Sequence, residues 1–180
     1  MARSVEHCGQ CARRPPAFDA TFAGFCYEPP VDGLIQRFKF NRDLASGRVM
    51  ARLMAEELAA LGARQPDLMV PVPLNWRRLW ARGFNQSERL CQDLKAHLGG
   101  LPWFPVLNRT RPTAAQSDLP ASRRAGNVRG AFAVRRLPYG VVHVALVDDV
   151  MTTGSTLDEC ARALKAAGVR RVDVWVAARA

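Results

Sequence analysis

Two adjacent carboxylates, Asp148 and Asp149, are followed within a few residues by a glycine that lies among hydroxyl side chains. Carboxylates at the end of a buried strand can accept hydrogen bonds from sugar hydroxyls, as acidic residues do in dinucleotide-binding folds. Hydroxyls and backbone N–H groups at a helix N-terminus can donate to phosphate oxygens. The run therefore predicts a ribose 5-phosphate site, with the candidate residues Asp148, Asp149, Thr152, Thr153, Gly154, Ser155 and Thr156.

The elements on either side of this run are predicted from its apolar pattern. Residues 141–147 are mostly branched and apolar, which is typical of a parallel strand buried on both faces, and the two acids should follow where it ends. A helix should come next, with Thr156 and Glu159 as a capping box and Gly168 at its end. The alternative is an ordinary strand-to-helix turn with an N-cap and two solvated acids.

A second group of candidate residues follows a shorter predicted strand at 67–70. Pro71 and Pro73 should end that strand, because proline cannot donate to a central ladder. Guanidinium groups suit phosphate oxygens, and residues that tolerate positive φ let the backbone approach an anion. The loop at 74–85 has both types, in Arg77, Arg78, Arg82, Gly83 and Asn85. The alternative is an arginine-rich surface turn before a helix that Asn85 or Ser87 caps.

A third candidate segment comes after a predicted short strand at 103–107. Residues 108–122 are long, polar and poor in apolar side chains, and they include Arg109, Arg111, Thr113 and Gln116. A segment of this length inside a compact domain is usually a functional loop or disordered. The alternative is a mobile connector with no role in binding.

The N-terminal residues contain a Cys-x-x-Cys pair, Cys8 and Cys11, which suits tetrahedral zinc. Because a structural zinc site needs four ligands, Cys26 is the further candidate, and His7 is too close to Cys8 to share a metal easily. The alternative is a remnant pair without a metal. Residues 20–27 should form a strand or hairpin, and residues 31–40 and 43–61 should form helices.

Composition bounds the class of protein. The chain has 180 residues, of which 48% are hydrophobic, so one domain with a full core is expected. We find no run of membrane-spanning length and no secretory signal in the first residues, and therefore expect a cytoplasmic protein. A net charge of +10 indicates either a nucleic-acid surface or a binder of a polyanionic small molecule.

The motif around Asp148 and Asp149 resembles the phosphoribosyl-pyrophosphate (PRPP) motif of type I phosphoribosyltransferases. Residues 8 to 180 as a whole resemble the ComF family, which includes the GntX-like proteins. Members of that family carry paired arginines before Arg-Gly-Phe-Asn-Gln, as in residues 82–86 here, and a Cys-x-x-Cys pair followed by two prolines and an aromatic. They also carry a spaced set that matches Arg109, Thr113, Gln116, Leu119, Arg124, Asn127 and Phe132.

This resemblance implies a fold and a set of roles. The fold is α/β, with a type I phosphoribosyltransferase-like core and a mainly parallel central sheet flanked by helices. The core spans residues 41–180, and residues 1–40 form a small cysteine-containing segment and a candidate hood over a bound base. The implied catalytic residues are Asp148, Asp149 and Arg109, and the implied pyrophosphate-binding residues are Arg77, Arg78, Arg82, Gly83, Asn85, Gln86, Arg109, Arg111, Thr113 and Gln116.

The implied activity is binding of PRPP with Mg²⁺ and transfer of phosphoribose to an unknown acceptor. Purine-salvage members of the fold have an aspartate at the position of Thr152, so the pattern is closer to the orotate and amidotransferase branches. The alternative is a non-catalytic sensor of PRPP or a nucleotide, or a protein associated with single-stranded DNA or competence proteins in DNA uptake. His143 lies in the predicted strand and should be structural.

Overall fold

The structure is a computed structural model and describes residues 11, 13–110 and 128–180. Within these residues the helices are α1 (Val31–Phe40), α2 (Leu44–Ala60), α3 (Trp76–Arg82), α4 (Gln86–His97) and α5 (Ser155–Ala166). The strands are β1 (Ala20–Cys26), β2 (Leu68–Pro71), β3 (Leu107–Arg109), β4 (Phe132–Val134), β5 (His143–Met151) and β6 (Arg171–Arg179). No helix in the described ranges is long and apolar enough to cross a membrane.

The central sheet consists of four strands in the order β1–β6–β5–β2. All three neighbouring pairs in it are parallel. Its side chains alternate between two cores, so that Val144 and Leu146 pack with α5, while Ala145 and Val147 pack with α1, α2 and α4. The predicted α/β class, with a mainly parallel central sheet flanked by helices, is confirmed.

Strand β5 begins two residues later and ends four residues later than the apolar pattern predicts. The prediction ended it before the acids, whereas the strand continues through Asp148 and Asp149 to Met151. The reason is its neighbour β6, which stays paired with it up to the couple Met151 and Arg179. The two acids therefore lie within the ladder, which fixes their backbone more firmly than a loop would.

Two smaller predictions near β2 and β3 are also corrected. The loop predicted from Pro71 begins one residue later, because Pro71 pairs with Val147 as the last residue of β2. The strand predicted at 103–107 is displaced to Leu107–Arg109, where it pairs antiparallel with β4. Trp103 instead makes a single bridge to Met69 beside the central sheet.

The N-terminal elements are joined to this sheet. Strand β1 lies at one edge of the sheet, parallel to β6, and residues 20–26 confirm the strand alternative of the strand-or-hairpin prediction. Helix α1 packs on α2, where the ring of Phe38 is fully buried against Gly47. Helix α2 begins after Asp43, as predicted, and the Asp43 carboxylate accepts hydrogen bonds from the N–H groups of Ala45 and Ser46.

His143 has a structural partner, as its position in the sequence predicts. Its Nε2 lies 2.9 Å from Oδ2 of Asp173, a fully buried carboxylate on the neighbouring strand β6. Arg171 approaches the other oxygen of the same carboxylate at 3.0 Å. These contacts tie the starts of β5 and β6 together, at the end of the sheet away from Asp148 and Asp149.

The contact between Phe38 and Gly47 gives a test of this packing. A Cβ atom at Gly47 would lie 2.6 Å from the Phe38 ring, so we expect Gly47→Ala to lower the free energy of unfolding by about 1–3 kcal/mol. Gly33 is the control, because a Cβ there meets no atom of the described residues within 4 Å. Gly33→Ala in helix α1 should be neutral or stabilise by about 0.5–1 kcal/mol. Urea unfolding measures both, and equal values for the two variants would contradict the packing.

Candidate functional site

One cavity of about 680 Å³ opens at the carboxyl ends of β2 and β5 and the start of α5. Ligands bind at this edge in open α/β sheets. The cavity brings together residues from distant parts of the chain that were predicted as site residues: Arg77, Arg78, Arg82, Gln86, Arg109, Asp148, Asp149, Thr152, Thr153, Gly154, Ser155 and Thr156. It is thus bordered by carboxylates, hydroxyls and guanidinium groups at once.

The turn from β5 to α5, residues 152–156, depends on Gly154. This residue has φ of +73° and is the N-cap of α5, and a Cβ atom there would lie 2.7 Å from the Met151 methyl group. The hydroxyls of Thr153 and Ser155 are 3.0 Å apart. Arg179, the last residue of β6, donates a hydrogen bond to the Thr152 carbonyl. The turn therefore presents hydroxyls and the first N–H groups of α5 at the cavity.

The capping box predicted for Thr156 and Glu159 is wrong. Helix α5 starts at Ser155 with Gly154 as its N-cap, two residues before the predicted cap, and this N-cap makes no side-chain capping bond. The Glu159 carboxylate instead accepts a hydrogen bond of 2.9 Å from the backbone N–H of Gly130, next to strand β4. Glu159 thus makes a long-range contact with Gly130 in place of the predicted local contact with Thr156. The N-cap of the helix is instead Gly154, whose backbone is left-handed. The predicted stop is confirmed, since α5 ends just before Gly168.

Asp149 forms an ion pair that the sequence does not reveal. Its Oδ1 lies 3.0 Å from Nζ of Lys39, which comes from the last turn of α1 and also lines the cavity. The neighbouring residue Phe38 anchors this turn in the core. In the sequence Lys39 is only a basic residue off the apolar face of a helix, so no local signal singles it out.

Asp148 has a different set of partners. Its carboxylate accepts a hydrogen bond of 2.9 Å from the Ser87 hydroxyl, at the start of α4, and another from the backbone N–H of Asp149. Burial, together with the negative charge of Asp149, raises the pKa of Asp148 to about 7, against an ordinary value of 3.8. Ser87 was considered only as a helix cap in the sequence, and the structure adds it to the cavity wall.

The predicted arginine-rich loop contains the short helix α3. Asn75 is its N-cap and accepts a hydrogen bond of 3.0 Å from the N–H of Arg77, and Gly83 ends it with φ of +81°. Seven residues without a buried side chain give no apolar periodicity, which is why a loop was predicted. Burial lowers the pKa of Arg82, which lines the cavity and whose guanidinium lies 5.1 Å from the Phe40 ring.

Two residues predicted to bind pyrophosphate stand outside the cavity wall. Gly83 terminates α3 beside Arg42. Asn85 caps α4, as one alternative predicted, by accepting from the N–H of Ser87, and it donates to the Val72 carbonyl over 3.1 Å. Both hold the ends of helices that carry cavity residues, which gives them a positioning role in the fold.

Gln86 is the first residue of α4 and is almost fully buried at the cavity wall. Its side-chain Nε2 has no hydrogen-bond partner among the described residues. Buried polar atoms are normally hydrogen-bonded, so such an atom beside a cavity marks a place where a ligand or water oxygen can accept. Gln86 was predicted as a site residue, and the cavity is where the structure places it.

Arg109 reaches the cavity from strand β3, with its guanidinium 5.2 Å from the Phe132 ring. Burial lowers its pKa, and the positive charge of Arg78 lowers it further. Arg111, Thr113 and Gln116 lie outside the described residues, so their part in the site stays a prediction.

Two metals, Mg²⁺ and zinc, are predicted for this chain. Within the described ranges no three His, Cys, Asp or Glu residues cluster as a metal site. Mg²⁺ fits this cavity only as an ion that a phosphorylated ligand carries, with Asp148 or Asp149 as a protein oxygen, because Mg²⁺ commonly binds substrate phosphates and one or two carboxylates. For zinc, Cys26 is exposed and Cys11 is half-buried, whereas Cys8 lies outside the described residues, so that site stays a prediction.

The chain is similar to known proteins over nearly its whole length. The DNA utilization protein YhgH of Salmonella typhimurium is 40% identical over 177 residues, which cover 96% of this chain and 77% of that protein. Competence protein F of Haemophilus influenzae is 38% identical over 184 residues, which cover 98% of this chain and 80% of that protein. This chain belongs to the competence protein F family. The resemblance to ComF proteins that the motifs predicted is thereby confirmed.

A third relative is less similar and is matched over less of its length. Competence protein ComFC of Streptococcus pneumoniae is 29% identical over 154 residues, which cover 84% of this chain and 64% of that protein. Among solved structures, Leishmania donovani UMP synthase aligns with 78% of this chain and 22% of that chain, at 16% identity and a TM-score of 0.41. No family model matches the chain.

The raised pKa of Asp148 predicts how stability changes with pH. Because the folded-state pKa is about 7 and the ordinary value is 3.8, the folded protein binds more protons between these pH values, and stability falls as pH rises through them. Asp148→Asn removes this charge, so we expect it to stabilise the protein by an amount on the order of 2 kcal/mol more at pH 8 than at pH 5.

Urea unfolding of the wild type and of Asp148→Asn at the two pH values measures this difference. Glu56→Gln is the control, since the side chain of Glu56 is 57% exposed and is paired with Arg52 on its own helix. A stabilisation by Asp148→Asn that is the same at both pH values would show that the Asp148 carboxyl group titrates normally.

Proposed function

We propose that the cavity binds PRPP together with Mg²⁺, and that the protein transfers phosphoribose from it to an acceptor. The observation that carries this proposal is the placement of two acids, a hydroxyl-bearing helix start and four arginines around one cavity. A volume of about 680 Å³ lies within the roughly 300–1,000 Å³ that is usual for small-molecule sites. The cavity wall therefore offers one group of side chains for the 5-phosphate of PRPP and another for its pyrophosphate.

The 5-phosphate would bind at residues 152–156. Their hydroxyls and the N–H groups at the start of α5 donate hydrogen bonds, and the helix dipole favours an anion there. Asp148 and Asp149 would accept from the two ribose hydroxyls. In this arrangement the Asp149 carboxylate contacts both the Lys39 ammonium group and the sugar.

The pyrophosphate group would lie toward α3 and β3. Arg82 and Arg109 line the cavity there, and guanidinium forks suit phosphate oxygens. Breaking the anomeric bond puts positive charge on the ribose ring and negative charge on the leaving pyrophosphate, much as in glycoside cleavage. When bound, Mg²⁺ neutralises part of the pyrophosphate charge. The arginines add fixed positive charge, and the two carboxylates lie beside the sugar ring that becomes positive.

The N-terminal segment, residues 1–40, would serve as the hood over an acceptor base. Tyr27 and Lys39 of this segment line the cavity, which supports the assignment. Thr152 occupies the position of the purine-salvage aspartate, and this favours an acceptor other than a 6-oxopurine. We place the reaction in the cytoplasm. Zinc held by Cys8, Cys11 and Cys26 remains part of the proposal for the segment, and metal analysis of the purified protein checks it.

A second function is favoured by the relatives, two of which are named for DNA utilization and for competence. We propose that this protein also associates with single-stranded DNA, in company with competence proteins. The net charge of +10 supports a polyanionic partner.

Calorimetry with PRPP and Mg²⁺ tests the ligand. We expect the double change Thr153→Val with Ser155→Ala to weaken binding by at least about 100-fold, because two donors to a charged phosphate are lost. Thr21→Val, on the exposed side of β1, is the matched control and should bind as the wild type does. Thermal unfolding checks that both variants are folded. Unchanged affinity in the double variant would place the phosphate elsewhere.

Pyrophosphate release in the presence of different nucleobases separates transfer from sensing. A catalyst releases pyrophosphate with one acceptor, and Asp149→Asn should slow that release by at least about 10-fold, because the Lys39 and ribose contacts of the carboxylate change together. Tight PRPP binding without release for any base would leave a sensor. No PRPP binding, together with DNA affinity that survives Asp149→Asn, would end the enzyme proposal.

A further inference from the structure

Helix α3 exposes large aromatic side chains beside the cavity. None of its seven residues is buried. Trp76 is 59% exposed and Trp80 is 88% exposed. Leu79, which is also exposed, lies between them in the sequence, and residues three and four apart share one side of a helix. Exposed aromatic and apolar side chains that lie together usually mark an interaction site.

The same helix has a strongly positive charge. The Arg77 guanidinium lies 5.3 Å from the Trp76 ring. The Arg82 guanidinium lies 5.1 Å from the ring of Phe40, which is itself 68% exposed and comes from the end of α1. No acidic residue occurs in the sequence between Asp67 and Glu88, so the stretch that contains α3 has no opposing charge of its own. We name Phe40, Trp76, Arg77, Trp80 and Arg82 the α3 surface.

We propose that the α3 surface binds single-stranded DNA, with bases stacked on Trp76 and Trp80 and the backbone phosphates next to Arg77 and Arg82. This inference rests on the proposed association with single-stranded DNA and assigns it a place on the molecule. Exposed aromatic rings combined with positive charge are the usual means by which proteins bind single strands without reading their sequence.

The geometry favours a single strand over a duplex. Side chains four residues apart on a helix are about 5–6 Å apart at Cβ, which is more than the 3.4 Å rise of stacked bases. Two bases can therefore occupy the two tryptophan rings only if they are unstacked from each other. In a duplex the base faces are covered by their neighbours, and only phosphates and groove edges are available.

The geometry also favours nucleic acid over a lipid surface. A helix that lies in a membrane interface usually buries a long apolar face, whereas α3 has seven residues and a length of about 10 Å. Arg77 and Arg82 lie next to aromatic rings, so positive charge and aromatic side chains occur at the same points. That pairing matches a polymer in which phosphates and bases alternate.

Fluorescence anisotropy with a labelled 20-residue oligothymidylate tests the proposal. The wild type, Trp76→Ala with Trp80→Ala, and the control Phe104→Ala with Tyr139→Ala are compared. The control removes two exposed aromatics away from α3, of which Phe104 is 52% exposed. We expect the tryptophan variant to bind at least about 10-fold more weakly, since each stacked base contributes strongly to affinity, and the control to bind as the wild type does.

The salt dependence of binding separates the two kinds of contact. The tryptophan variant should keep the wild-type slope of log affinity against log salt, because its arginines are unchanged. Arg77→Gln should reduce that slope by about 1. As an independent measurement on the wild type, the oligonucleotide should quench tryptophan emission, since two of the four tryptophans are on α3. This second measurement holds even if the double alanine variant fails to fold.

Several outcomes would overturn the assignment, and they differ in what else they remove. Equal affinity of the tryptophan and control variants, or an unquenched wild type that still binds, would move DNA to another surface and leave the second proposed function standing. A wild type that does not bind the oligonucleotide would remove both. A tryptophan response to phosphatidylserine vesicles but not to DNA would replace the partner by a membrane. The tryptophan variant leaves the cavity-lining residues unchanged, so PRPP calorimetry on it tests the enzyme proposal separately from these results.

Discussion

Two carboxylates at adjacent positions of one strand repel each other when both are ionised, so each needs its own hydrogen-bond or ion-pair partner. Asp148 and Asp149 bond to side chains of two different helices, although both helices pack on the same face of the sheet. Asp149 meets the ammonium group of Lys39 on α1, and Asp148 meets the Ser87 hydroxyl on α4. Because burial and the Asp149 charge raise the pKa of Asp148, the pair tolerates its closeness near neutral pH by holding fewer than two negative charges.

This constraint connects the elements around the cavity. Helix α1 must keep Lys39 in place, and it does so through the buried Phe38 ring packed on Gly47 of α2. Helix α4 must present Ser87 in its first turn, and Asn85 fixes that turn by capping it and by bonding to the Val72 carbonyl. The partners of both acids are thus held in place by contacts elsewhere: Phe38 with Gly47 positions Lys39, and Asn85 with Val72 positions Ser87.

The sequence predicts those parts of the fold whose cause is local. The apolar run at 141–147, the helix that begins at Asp43 and the stop at Gly168 each depend on neighbours in the chain, and each matches an element of the structure. The actual end of β5 depends on its pairing with β6, and the ion pair of Asp149 depends on a lysine more than a hundred residues away. Neither is visible in a local pattern. Glu159 shows the same limit, because its pairing with Gly130 replaces the predicted capping box.

The turn after β5 limits how this region can be altered. Gly154 has a left-handed backbone, and the space that a side chain would fill there is already occupied by the Met151 methyl group. A replacement at Gly154 needs a residue that accepts this backbone and, at the same time, a shorter or displaced side chain at Met151. Evolution or engineering therefore has to treat these two positions as a unit, and variation of ligand preference is easier at the hydroxyl-bearing residues on either side of the glycine.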